Sequence, residues 1–188
     1  MPRVKLFDET EVLNKALQLF WKSGYTATSI QDLVTHLGIN RGSLYDTFGG
    51  KKKLFTTALE AYQKRNIESV RSFLAQYPSA KQGLKALFYN ALPNGENNGC
   101  LMVNTTTELL PGDEDIKAVL EQNKAHFISL FHGFLKTAHD RNELHSGANL
   151  HEKATLLFTF FNGLKVVTKL EQNHDTLKTS IDVLIDSL

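Results

Sequence analysis

Apolar positions recur along almost the whole chain at intervals of three and four, the period of an α-helix, while the strict alternation of a half-buried strand is scarce. The first run is Val12, Leu13, Ala16, Leu17, Phe20 and Trp21. Asp8 with Glu11 gives it a capping-box opening, Phe7 is placed to staple onto Val12, and Ser23-Gly24 closes it. A second, shorter run opens at Thr28 with Gln31 in the same box spacing and stops at Gly38. Asn40 is placed to cap a two-turn helix over residues 41–47, which Gly49-Gly50 ends. Lys51 then opens a long helix that reaches the Tyr77-Pro78 break.

The same period predicts helices over residues 79–91, 100–110, 113–139, 149–170 and 175–188. Ser79 with Gln82 and Asn149 with Glu152 supply further box spacings, and the last helix repeats Leu177, Ile181, Leu184, Ile185 and Leu188. The expected fold is all-α, with about nine helices and no sheet. Residues 1–50 read as a three-helix helix-turn-helix domain, and residues 51–188 as a helical ligand-binding and dimerisation domain. The helix from Lys51 connects the two.

The segment from Gln31 to Phe55 breaks twice within a short span, and each break has a physical use. Gly38 lets the chain reverse with positive φ, while Leu33, Leu37, Ile39 and Leu44 close a small core. Two short helices joined in this way form a helix-turn-helix whose second helix can enter a major groove. The second break places Lys51 at a helix N-terminus, where unpaired N–H groups and a partial positive charge favour phosphate. On spacing alone, a helical hairpin followed by a solvated lysine run is the alternative.

Composition narrows the choice. The chain has 188 residues, 41% hydrophobic and 22% charged, which fits an ordinary globular protein with a sizeable core. No stretch approaches the roughly 20 apolar residues of a membrane helix, so no membrane partner is expected. The opening MPRVKLFDETEVL lacks the apolar centre of a signal peptide. One cysteine allows no internal disulfide, and a reducing, cytoplasmic location is expected. Net charge is only +1, yet residues 1–65 hold ten basic against six acidic side chains, so the excess of positive charge is N-terminal.

Catalytic patterns fail on inspection. His126, His132, His139, His145 and His151 are spaced six or seven apart, which does not put two ligands on one helix face. The stretch HEKAT at 151 lacks the second histidine of a zinc-protease motif, and no glycine-rich phosphate loop exists. No enzyme activity, metal or cofactor is expected.

The stretch TSIQDLVTHLGINRGSLYDTFGGKKKLF over residues 28–55, with Phe20, Gly24 and Tyr25 before it, resembles the N-terminal signature of the TetR family of bacterial repressors. The resemblance covers about the first third of the chain. It implies a set of DNA contacts: Thr28 gripping a phosphate, Arg41, Gly42 and Ser43 facing the groove, Tyr45 sending its hydroxyl to a phosphate, and Lys51 pinning the flanking backbone. Arg41 is the candidate for base readout, because a guanidinium can bridge O6 and N7 of guanine. Thr47 joins this set, while Asp46 is left out because a carboxylate repels phosphate. Lys52 and Lys53 read as solvated, and Arg3 and Lys5 as part of a disordered arm, with entry into an adjacent minor groove the alternative.

For the remainder, the resemblance implies a homodimer through the last two helices, with Leu157, Phe161, Leu177, Ile181, Leu184 and Ile185 at the seam. It also implies a pocket for an apolar or aromatic small-molecule effector, for which Phe88, Met102, Phe127, Phe131, Phe158 and Asn162 are the candidate lining. The expected function is a repressor that binds a palindromic double-stranded DNA operator as a dimer and is released by a small molecule. Two alternatives stay open. Cys100, at a helix start with Lys165 and Lys169 on a facing helix, allows a thiol-based sensor of electrophiles or oxidants. A structural, nucleoid-type DNA-binding protein is the other.

Overall fold

Nine helices and no strand are present among the residues that the computed structural model describes, 7–93, 99–144, 149–170 and 173–188. Arg3, Lys5, His145 and the loop before Gly99 lie outside them. The helices are α1 (Glu9–Ser23), α2 (Ile30–Leu37), α3 (Arg41–Phe48), α4 (Lys51–Leu74), α5 (Ala80–Asn90), α6 (Leu101–Leu109), α7 (Glu114–Asp140), α8 (Leu150–Val167) and α9 (Asp175–Asp186).

Their starts follow local chemistry. The Asp8 carboxylate accepts from the amides of Thr10 and Glu11, Asn40 accepts from Ser43, and Asn149 accepts from His151 and Glu152. Two expected caps differ. The box that opens α2 is Ser29 with Asp32, one residue later than the spacing at Thr28 suggested, because Thr28 turns inward. Ser79 makes no side-chain cap, and the Ala80 amide donates instead to the Glu143 carboxylate at 2.8 Å.

Two apolar clusters fill the interior. The first joins α1, α2 and α3 to the N-terminal half of α4 through Leu54, Phe55, Ala58 and Leu59. It continues into Leu101 and Met102 of α6 and Ile116, Val119 and Leu120 of α7. The second is built from the C-terminal half of α4 with α5, α7, α8 and α9. The first core therefore does not stop at residue 50: α6 and the start of α7 are packed into the base of the helix-turn-helix unit.

The proposed seam residues of α8 and α9 have other neighbours. Leu157, Phe161, Ile181, Leu184 and Ile185 are buried in the second cluster of a single chain, with Leu177 packed against it. They are intrachain core, because both helices lie across their own domain, α8 on α7 and α9 on α5. The apolar residues left facing outward are Leu156 (48% exposed), Val166 and Leu170 on or just after α8, and Val183 (66%) on α9. No helix is long and apolar enough to cross a membrane, among the described residues.

Candidate DNA-binding face and effector cavity

The reading head is organised around the short α3. Asn40 holds its N-terminus through the Ser43 amide at 2.8 Å, and Gly38 makes the preceding reversal in the left-handed region at φ 67°. Leu44 is buried, so the opposite face points outward, with Arg41, Gly42, Tyr45 and Asp46 exposed. The Arg41 guanidinium lies 5.8 Å from the centroid of the Tyr45 ring, and Tyr45 is 45% exposed. Ser43 and Thr47 are half-buried at the edge of this face. Behind it Gly50, at φ 104°, packs so closely that a Cβ would meet the Tyr45 ring at 3.0 Å.

Lys51, at the start of α4, points its ammonium at the Tyr25 ring, 4.3 Å from the centroid. Tyr25 in turn packs on Phe55 at 4.8 Å. Thr28 does not join this face. It is 1% exposed, and its hydroxyl donates to the Gly24 carbonyl at 2.6 Å, which locks the turn between α1 and α2. The helix terminus open to solvent begins at Ser29 and Gln31 instead.

Sequence reasoning missed how this head is held from below. The Glu108 carboxylate, in the last turn of α6, accepts from the amides of Tyr25 at 3.1 Å and Thr26 at 2.6 Å. Burial raises its pKa, but these amides and the nearby Lys51 outweigh burial and hold it below the usual carboxylate value. Lys52, read as solvated, pairs with Asp113 at 3.1 Å and Asp115 at 2.7 Å across the start of α7. Contacts between residues so far apart in the chain leave no local pattern.

The other end of α6 opens onto a cavity of about 220 Å³, walled by α1, α4, α7 and α8. Of the expected lining, Phe127, Phe158 and Asn162 face it, as does Cys100. Phe88 and Phe131 do not; both are fully buried in the second cluster. Met102 belongs to the first cluster, because the helical turn carries it away from Cys100 toward α4 and α7.

Trp21, Tyr62, Asn66, Gly99, Asn123, Phe161 and Lys165 complete the wall. The Tyr62 hydroxyl is 3.7 Å from the Cys100 Sγ, and the Trp21 indole donates to the Gly99 carbonyl at 3.1 Å. Lys165 donates to the Ala91 carbonyl at 3.3 Å and lies 5.2 Å from the Phe161 ring centroid. Lys169, the other lysine considered, is turned to Asn104 at 2.7 Å. The Asn123 side-chain oxygen is buried with no hydrogen-bond partner among the described residues. A signal for it existed: Asn123 falls in register with Ile116, Leu120, Phe127 and Phe131, where an amide is out of place on an inward stripe.

A larger trough of about 810 Å³ runs between α4 and α7, but it is open, with Lys64, Glu68, Arg71 and Gln122 exposed along it.

A family model described as bacterial regulatory proteins, tetR family, matches residues 12–58. Over its whole length the chain is 34% identical to the uncharacterized HTH-type transcriptional regulator YezE of Bacillus subtilis strain 168, all of which is covered. It is 30% identical to the HTH-type transcriptional repressor ComR of Escherichia coli K12, over 87% of this chain and 80% of that one. A solved structure of the TetR family transcriptional regulator CifR, as a cysteine mutant complexed with 26-bp double-strand operator DNA, is similar with a TM-score of 0.85 and 26% identity. That match covers 98% of this chain and 99% of the other.

Proposed function

The chain belongs to the TetR family of bacterial regulatory proteins, and from that premise we propose that it is a dimeric repressor released from a palindromic operator by a small molecule. The observation that carries the DNA reading is the outward face of α3. Arg41 and Tyr45 project from a helix whose caps and buried Leu44 fix its orientation, with Lys51 beside it at a helix N-terminus. Arg41 reads guanine, and Tyr45 and Lys51 hold phosphates. Thr28 serves by shaping the turn.

A single α3 reads too few bases for a specific site, and two copies must reach successive major grooves about 34–36 Å apart. The outward Leu156, Val166 and Leu170 on or just after α8, and Val183 on α9, are exposed apolar positions on which a second copy can seat.

Helix α6 supports the release mechanism. Its first residue is preceded by Cys100 on the cavity wall, and its last turn carries Glu108 on the α1–α2 turn. A ligand that fits the cavity in one position of α6 better than another shifts the heads with it, and its effect on operator affinity equals that difference in binding.

Footprinting on the DNA upstream of its own gene tests the reading. Two protected half-sites about one helical turn apart are expected, with binding well above that of random duplex. Equal affinity for both would overturn it.

A second reading rests on the placement of Cys100 on the cavity wall beside the Tyr62 hydroxyl. There the thiol itself takes the effector covalently. N-Ethylmaleimide then releases operator from the wild type and leaves Cys100→Ser bound; equal responses of the two proteins would exclude it.

A further inference from the structure

The cavity at the start of α6 has a polar composition that restricts what can fill it. Asn123 comes from α7, is 5% exposed, and lies in the cavity wall with a buried side-chain carbonyl oxygen that has no partner among the described residues. A buried acceptor left unpaired is costly, and a ligand hydroxyl or amine would remove that cost. Lys165 comes from α8 and brings an amine, yet no carboxylate among the described residues lines the cavity. Its protein contacts are a carbonyl and an aromatic ring, neither of which neutralises a charge. Its one electrostatic partner among the described residues is the Cys100 thiol, which favours the charged amine but does not outweigh burial. Burial holds the amine below its ordinary pKa, so a bound anion would offset the desolvation. Burial first, then the neighbouring thiol, push the Tyr62 phenol well above its usual value, so its hydroxyl stays neutral and able to donate.

The walls fix size and shape. Trp21, Phe127, Phe158 and Phe161 supply flat apolar surface, and an apolar cavity of roughly 150 Å³ already admits one benzene ring. About 220 Å³ therefore holds one substituted ring and excludes a long acyl chain.

We propose that the cavity binds a single-ring aromatic carboxylate bearing a second, hydrogen-bond-donating substituent, with the carboxylate on Lys165 and Tyr62 and the donor on Asn123. This rests on the ligand-responsive reading above and names the chemical class of its effector. Cys100 then contributes wall and the Tyr62 contact.

The chain has a single tryptophan, and it lines the cavity, so binding is readable without DNA. The full chain is titrated with 4-hydroxybenzoate, with the neutral 4-hydroxybenzyl alcohol, and with benzoate, following Trp21 fluorescence. Saturable binding of 4-hydroxybenzoate is expected, at least about tenfold tighter than the alcohol, as befits a charge-assisted contact. Lys165→Met, or Lys165→Gln if the first does not fold, removes that preference. Asn123→Leu brings 4-hydroxybenzoate to the affinity of benzoate.

The proposal is overturned if the alcohol binds as tightly as the acid, or if 4-hydroxybenzoate gives no saturable change. Operator release is measured separately by mobility shift. If the acid saturates Trp21 yet leaves operator bound, the ligand class stands and the release reading falls. If a compound of another class releases operator while the acid does not bind, the ligand class falls and the release reading stands.

Discussion

Arg41 and Lys51 carry the same charge but are held differently, and their alanine variants should fail differently. Arg41 is exposed on α3 against Tyr45, where a guanidinium can meet a base edge. Arg41→Ala should cost about 1–3 kcal/mol on the operator and flatten the preference over random duplex. Lys51 sits at a helix N-terminus over Tyr25, and Lys51→Ala should weaken all duplexes alike and lower the salt slope by about one unit. Competition binding at several salt concentrations separates the two. Thr28 belongs to neither class. Its hydroxyl is committed to Gly24, so Thr28→Val should lower stability by about 1 kcal/mol in denaturant melts and leave the salt slope unchanged. An altered slope would return Thr28 to the phosphate contacts.

At the level of elements, α6 is short and joins two distant places. Its polar grip on the turn between α1 and α2 is one carboxylate on two amides, so Glu108→Ala should speed hydrogen exchange at Tyr25 and Thr26 and weaken operator binding several-fold, about 1 kcal/mol. The pH dependence has a definite sign. The folded pKa of Glu108 lies below the unfolded value near 4.3, so the contact is fully present above that value and is lost as pH falls through the lowered one. The Thr26 amide resonance should titrate with a midpoint below that of an ordinary glutamate. A midpoint at the ordinary value would mean that the carboxylate gains nothing from these amides.

For the whole molecule, the division between core and seam on α8 and α9 gives two contrasting variants. Ile185 is buried against α5 and its neighbours, and Ile185→Asp should unfold the chain, at about 4 kcal/mol or more. Leu156 and Val183 face outward, and the double variant Leu156→Asp, Val183→Asp should leave a folded chain with native circular dichroism that sediments as a monomer and binds half-sites weakly. A dimer unaffected by both aspartates would move the interface to another face.

The helices and their order were legible in the residues themselves, because caps, glycine breaks and a 3.6-residue apolar period act between neighbours in the chain. The family resemblance of residues 28–55 was needed to tell a reading head from a plain helical hairpin. Asn40, Gly38 and Gly49 mark the bounds of α3 wherever the rest of the molecule lies. The sequence also showed that α8 and α9 carry more apolar residues than one contact needs, but not which of them face inward. Leu157 and Leu156 are adjacent and equally apolar, and only packing on α7 buries one and exposes the other. The cavity was half-visible for the same reason: aromatic side chains look alike as wall or as core, so Phe127 and Phe88 could not be told apart. Glu108 on the Tyr25 and Thr26 amides, Lys52 on Asp113 and Asp115, and Asn123 on one cavity wall with Lys165 join residues distant in sequence. Periodicity carries no record of such pairs, and only the tertiary fold, by bringing α6, α7 and α8 against α1 and α4, decided them.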